Sequence, residues 1–266
     1  MTPLTLGNHY LKSALFLAHA SCAAYESAPE TYKNFQRFQF DDKPIPFACD
    51  PLKDGEATRG FLAARQDAIV LAFKGSENIL DWATNLDCKQ IEDNGAQVHR
   101  GFMQALEKAW PTIREHLQKM LEREKRKIWV TGHSLGGALA TLATRRLLMD
   151  MKIDQIETHT FGQPRVGDNA MCQQMTSTFY RFAYISDPAT FVPLWAMSYS
   201  HAGTLKHIDA TGRIHEDASN LALRVWAGLN ALKQIIENFG WEAFCRERKE
   251  DHSLQNYIEK ITQAAK

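Results

Sequence analysis

A serine flanked by glycines is the first place in this chain where chemistry can be read. The run Lys127-Ile128-Trp129-Val130-Thr131-Gly132-His133-Ser134-Leu135-Gly136-Gly137 puts Ser134 at the exit of a β-rich apolar stretch. Ala138-Leu139-Ala140-Thr141-Leu142-Ala143 follows at once and has helical composition and spacing. A hydroxyl on a sharp strand-to-helix turn stands clear of its sheet, and Gly132 and Gly136 let the backbone bend there without a Cβ clash. The helix starting after Ser134 aims its unbonded N–H groups and positive dipole end at the space where an oxyanion would develop. Ser134 is the candidate nucleophile, and the Leu135 N–H a candidate oxyanion donor.

A serine hydroxyl needs a histidine to take its proton and a third group to orient that histidine. On an α/β-hydrolase sheet the partners follow in the order Ser, Asp or Glu, His, which prunes the ten histidines. Asp187 is the leading acid, because it lies in Ser186-Asp187-Pro188 just past the expected strand Phe179–Ile185, where such sheets collect functional groups. Asp168, Asp209 and Asp217 lack that placement. Downstream of Asp187 stand His201, His207, His215 and His252, and spacing leaves His201 and His252 both open. His133, beside the nucleophile, is expected to support the elbow. In Lys74-Gly75-Ser76, Ser76 closes a strand and is a second candidate oxyanion donor.

These groups need a scaffold. Phe61–Arg65, Ala68–Phe73, Lys127–His133, Ile156–Phe161 and Phe179–Ile185 read as strands, alternating with helical patterns from Phe102 to Arg123 and after Ser134. That alternation predicts a mainly parallel α/β sheet with right-handed crossovers, in a single domain over residues 1–266. Leu11, Leu15, Ala18, Cys22 and Tyr25 fall on one face of an expected N-terminal helix. Pro111 is expected to kink or break the long helix. Tyr32 to Phe40 reads as an edge strand or hairpin arm, Leu194 to Ser198 and Leu205 to Asp209 as short β pieces, and Ala218 to Phe239 as a helix. A final helix follows Asp251-His252-Ser253.

With 266 residues and 44% hydrophobic content the chain can bury a sizeable core. Lys and Arg total 31 and so do Asp and Glu, so no net field recruits nucleic acid or an anionic surface. The expected partner is neutral or amphiphilic, with no nucleic acid. No apolar run reaches the roughly 18 residues of a membrane span. The five cysteines lack metal-knuckle spacing and leave one thiol unpaired. Together with the lack of a convincing leader around Ala14–Ala24, that favours a cytoplasmic location, with signal-less export as the alternative.

Taken together, the motifs resemble the class 3 (fungal-type, Rhizomucor-like) triacylglycerol lipase family, from about Ala68 to His252. The resemblance runs through Phe73-Lys74-Gly75-Ser76, Asp81-Trp82 with Asn85-Leu86, Val98–Phe102, Gly132–Gly137, Phe161-Gly162-Gln163-Pro164-Arg165-Val166-Gly167-Asp168, and Asp187-Pro188 followed by Val192-Pro193. It implies an α/β-hydrolase fold and matches Tyr199-Ser200-His201-Ala202-Gly203 to a segment preceding the catalytic histidine. His252, in Asp251-His252-Ser253 with Tyr257 beyond, then becomes the base, and His201 structural. It further implies Ser76 as an oxyanion donor and residues 77–90 as a lid, with Ile79, Leu80 and Trp82 facing lipid. The implied activity is hydrolysis of fatty-acyl esters through Ser134, Asp187 and His252, without metal or cofactor. A short-chain, feruloyl-type or thioester hydrolase, or a non-catalytic lipid-binding module on the same scaffold, are the alternatives.

Overall fold

The computed structural model describes residues 10–26, 40–49, 57–65, 68–76, 87–184, 186–209, 211–215 and 240–265. Helix α1 (Tyr10–Ala23) precedes strands β1 (Ile45–Ala48), β2 (Arg59–Ala64) and β3 (Ala68–Phe73), then β4 (Gln90–Asp93) and β5 (Ala96–His99). Helix α2 (Arg100–Arg123), β6 (Lys127–His133), α3 (Leu135–Met149), β7 (Ile156–Phe161), α4 (Asn169–Gln173) and β8 (Thr178–Tyr184) follow. Two 3₁₀ turns (Pro188–Phe191, Trp195–Met197), β9 (Thr204–Ile208), β10 (Ile214–His215), α5 (Trp241–Glu247) and α6 (Leu254–Ala264) complete the described elements.

The main sheet has the order β1-β2-β3-β6-β7-β8-β9-β10. Its centre, from β3 to β9, is parallel, and the outer pairs β1/β2, β2/β3 and β9/β10 are antiparallel. The mainly parallel sheet expected from the alternating pattern is thus present, in the α/β arrangement that the resemblance implies. All six residues of β3 are buried, because both faces of the sheet are covered. Ile69, Leu71 and Phe73 pack with Phe102, Leu106 and Ile113 of α2 and Leu139 and Leu142 of α3. Val70 and Ala72 face Phe16, Leu17 and Ala20 of α1, and farther along the same face Phe161 and Phe182 meet Tyr257 and Ile258 of α6.

Register is what gathers the functional groups. Phe73 pairs with Gly132, His133 with Phe161, and Phe161 with Phe182, so the carboxyl ends of β3, β6, β7 and β8 lie side by side. The loops carrying Ser76, Ser134, Gly162 and Asp187 therefore leave one rim of the sheet.

Several local expectations need correction. Pro111 does not break α2, which runs unbroken over 24 residues; Pro111 is exposed, so the carbonyl deprived of its N–H partner is free to be hydrated. Leu194 to Ser198 forms a 3₁₀ turn rather than a β piece, with Leu194, Trp195 and Met197 turned to solvent. The sequence reading also passed over the β4–β5 hairpin, whose Asn94-Gly95 turn has φ of 47° and 78°. The expected arm at Tyr32–Phe40, apart from its last residue, and the expected helix at Ala218–Phe239 lie outside the described residues. So do residues 77–86 of the expected lid, including Ile79, Leu80 and Trp82; its remainder leads into β4.

Candidate active site

The turn at Ser134 is as tight as the glycine pattern demands. Ser134 sits at φ 58°, ψ −128° between β6 and α3, a conformation that costs a non-glycine residue about 1–3 kcal/mol and persists only where its surroundings enforce it. Here the Ser134 N–H donates to the Phe161 carbonyl at 3.0 Å. A Cβ on Gly132 would lie 2.1 Å from the Gly136 carbonyl oxygen, and one on Gly136 would lie 2.4 Å from that of Phe73. Ser134 is fully buried, and its Oγ has no hydrogen-bond partner among the described residues.

Asp187 and His252, 65 positions apart, meet. His252 Nδ1 lies 2.8 Å from Asp187 Oδ1. The same oxygen accepts from the Ala189 N–H at 2.9 Å, which makes Asp187 the cap of the Pro188–Phe191 turn. The other carboxylate oxygen accepts from the Tyr257 hydroxyl at 2.7 Å. Three donors thus hold a carboxylate that is completely buried. With Nδ1 engaged as donor, the basic nitrogen of His252 is Nε2, which is buried and unpartnered among the described residues. Gly162, at φ +56°, forms the floor: a Cβ there would lie 2.5 Å from Asp187 Oδ2 and 3.1 Å from His252 Nδ1.

The rival residues are engaged elsewhere. His201 Nε2 lies 2.9 Å from the Thr190 carbonyl, and burial, reinforced by Arg181 and Arg165, holds its imidazole well below the usual range. Asp168 caps α4 by accepting from the Met171 N–H, and Asp209 is bonded to Thr211 and His215. Asp217 lies outside the described residues.

The Lys74–Ser76 loop runs beside the elbow, since a Cβ on Gly75 would lie 3.3 Å from Ser134 Cβ. Ser76 is buried. The backbone bonds of α3 begin with Gly137 N–H to Ser134 O, so the Leu135 N–H precedes the helical ladder. The backbones of the two candidate oxyanion donors therefore approach Ser134 from separate segments. The bond from Tyr257 to Asp187 was not foreseen; its position five residues past His252 was visible, but its reach to Asp187 depends on how α6 docks. Beyond Asp187 in the chain, Leu194, Trp195 and Met197 are exposed apolar residues, with Trp195 at 75% exposure.

Residues 70–197 match the model of the lipases of class 3. That segment belongs to the class 3 lipase family. Over 172 residues the chain is 31% identical to the secreted mono- and diacylglycerol lipase 1 of Fusarium solani, covering 60% of this chain and 50% of that one. The lipase structure from Rhizopus microsporus var. chinensis is 26% identical with a TM-score of 0.64, over 77% of this chain and 76% of that one. A triacylglycerol lipase whose catalytic centre is described as a serine protease triad superposes with a TM-score of 0.66 at 21% identity, over 82% of this chain and 91% of that one. The chain spans about half the length of the curated lipases it matches first.

The expected cytoplasmic location is overturned by this comparison, since the Fusarium relative is named as secreted. The odd cysteine count misled because unpaired thiols need not be reactive. Burial raises the pKa of Cys22, Cys88, Cys172 and Cys245, leaving little thiolate to oxidise.

Proposed function

We propose that the protein is a serine carboxylester hydrolase that cleaves fatty-acyl esters of the acylglycerol class, outside the cell as its Fusarium relative is named to be. The observation that carries this reading is the Asp187–His252 hydrogen bond, which leaves Nε2 open at the same rim as a strained, unengaged Ser134. In the reaction His252 Nε2 takes the Ser134 proton as Oγ attacks the ester carbonyl. The N–H groups of Ser76 and Leu135 receive the tetrahedral oxyanion. The imidazolium, steadied by Asp187, then protonates the leaving alcohol, and water repeats the cycle on the acyl-enzyme to release the fatty acid. Loss of one oxyanion donor is expected to cost on the order of 10²-fold in kcat.

A fatty-acyl substrate is favoured over a polar one by the apolar group Leu194, Trp195 and Met197, whose exposure suits contact with lipid. Residues 77–90 are the proposed lid, on the strength of Ile79, Leu80 and Trp82 following directly on Ser76 in sequence. The test is Ser134→Ala, assayed on p-nitrophenyl esters of increasing chain length. Turnover is expected to vanish while the variant stays folded; an unchanged rate refutes the assignment.

A further inference from the structure

A second buried histidine, expected only to support the elbow, stands beside the proposed triad. His133 ends β6 on the sheet face covered by α1 and α6, its ring 4.5 Å from that of His252 and 6.3 Å from that of Tyr257. Its Nε2 lies 2.7 Å from the main-chain carbonyl oxygen of His252. Its Nδ1 lies 3.0 Å from the Tyr25 hydroxyl. A carbonyl only accepts, so Nε2 carries the proton and Nδ1 accepts from Tyr25. The Tyr25 oxygen in turn lies 2.2 Å from where a Gly75 Cβ would stand. A single imidazole thus joins the elbow, the loop carrying His252 and, through Tyr25, the loop carrying Ser76.

Resting on the proposed triad, we infer that His133 is a positioning residue: its Nε2–H fixes the backbone of His252, and Tyr25 locks the tautomer that makes this bond. Asp187 holds the His252 ring at Nδ1, but a shift of the His252 backbone would carry Nε2 with it. Anchoring the carbonyl of the same residue fixes the base of the side chain, so Nε2 is presented to Ser134 rather than merely tethered. Displacement by about 1 Å at such a contact costs up to roughly 10²-fold in rate. His133 moves no proton in the reaction, because its own N–H is committed to a carbonyl. Burial, with His252 alongside, holds its imidazole well below the usual range, so it adds no charge against the imidazolium that forms next to it.

The test compares His133→Phe, which keeps a ring but loses the donor, with His133→Gln, whose side-chain amide keeps an N–H of similar reach, and with Tyr25→Phe. Each is read by kcat and KM on a soluble p-nitrophenyl ester, by the rate of fluorophosphonate labelling at Ser134, and by thermal melting. His133→Phe is expected to lower kcat and the labelling rate together by roughly 10- to 100-fold with KM within about twofold. His133→Gln is expected to recover to within about threefold of the parent, and Tyr25→Phe to fall about threefold to tenfold. The inference is overturned if His133→Phe keeps its kcat, or if Gln is as impaired as Phe while both remain folded. Should His133→Phe not fold, the Tyr25→Phe and His133→Gln pair decides: full activity in the first with deep loss in the second refutes it. Ser134→Ala separates this inference from the triad reading, since full turnover in that variant removes the triad itself, whereas its inactivity beside a normal His133→Phe removes only the positioning role.

Discussion

Replacing Gly162 by alanine perturbs the Asp187–His252 pair without altering either residue. The added Cβ would stand 2.5 Å from Asp187 Oδ2, about 0.9 Å inside ordinary contact, and 3.1 Å from His252 Nδ1. Neither neighbour yields freely, because Asp187 is held by the Ala189 N–H, Tyr257 and His252 together. A non-glycine residue at φ +56° costs about 1–2 kcal/mol, and overpacking of a fixed neighbour adds about 1–3 kcal/mol. The expected loss of stability is therefore about 2–5 kcal/mol. If relief comes by moving the carboxylate and imidazole by the better part of an ångström, kcat on a soluble ester falls on the order of 10²-fold. Gly95→Ala is the control: it has φ +78° with open space around it, so it meets the backbone cost alone and leaves turnover unchanged. Urea titration and steady-state hydrolysis of a p-nitrophenyl ester read both quantities. A Gly162→Ala protein with stability like that of Gly95→Ala and kcat within threefold of the parent would show that the glycine is not the floor of the site.

Other outcomes follow from the same geometry. Tyr257→Phe removes the donor to Asp187 Oδ2 and the acceptor of the Tyr184 N–H; it is expected to lower stability by about 2 kcal/mol in urea titration, and an unchanged midpoint contradicts this. Burial, opposed by Asp87, lowers His99 from 6.5 to about 4, so between those values the unfolded chain binds the extra proton and stability falls as pH drops. That window contributes about 3 kcal/mol, and His99→Asn, which keeps an acceptor for the helix cap, is expected to flatten the decline in urea midpoint between pH 7 and 4.5; an equal decline refutes it. Trp195→Ala is expected to lower the rate on emulsified long-chain esters several-fold more than on a dissolved short-chain ester, and equal losses would remove the apolar group from substrate contact.

The parts of this protein that rest on local pattern were legible. The buried strands announce themselves as apolar runs, and the Ser134 elbow carries its own glycines, whose absent side chains the packing at Gly136 and Phe73 requires. The Asn94-Gly95 hairpin was equally local and was passed over, although Asn-Gly is a strong hairpin signal. What pattern alone left open was long-range: spacing did not tell which of His201 and His252 meets Asp187, because that contact depends on α6 docking against β8 through Tyr257. The bonds of His133 to Tyr25 and to His252 span more than 100 positions each and have no sequence signature. The 194–198 turn defeated the pattern because its apolar residues face outward, where neither strand nor helix periodicity applies.

The most direct measurement of the central claim is intact-protein and peptide mass spectrometry after reaction with a fluorophosphonate, on the parent chain and on His252→Ala. One adduct at Ser134 in the parent, slowed by at least 10²-fold in folded His252→Ala, is the predicted result. Labelling of Ser134 at the same rate without His252, or ester turnover that persists with Ser134 unmodified, would contradict it.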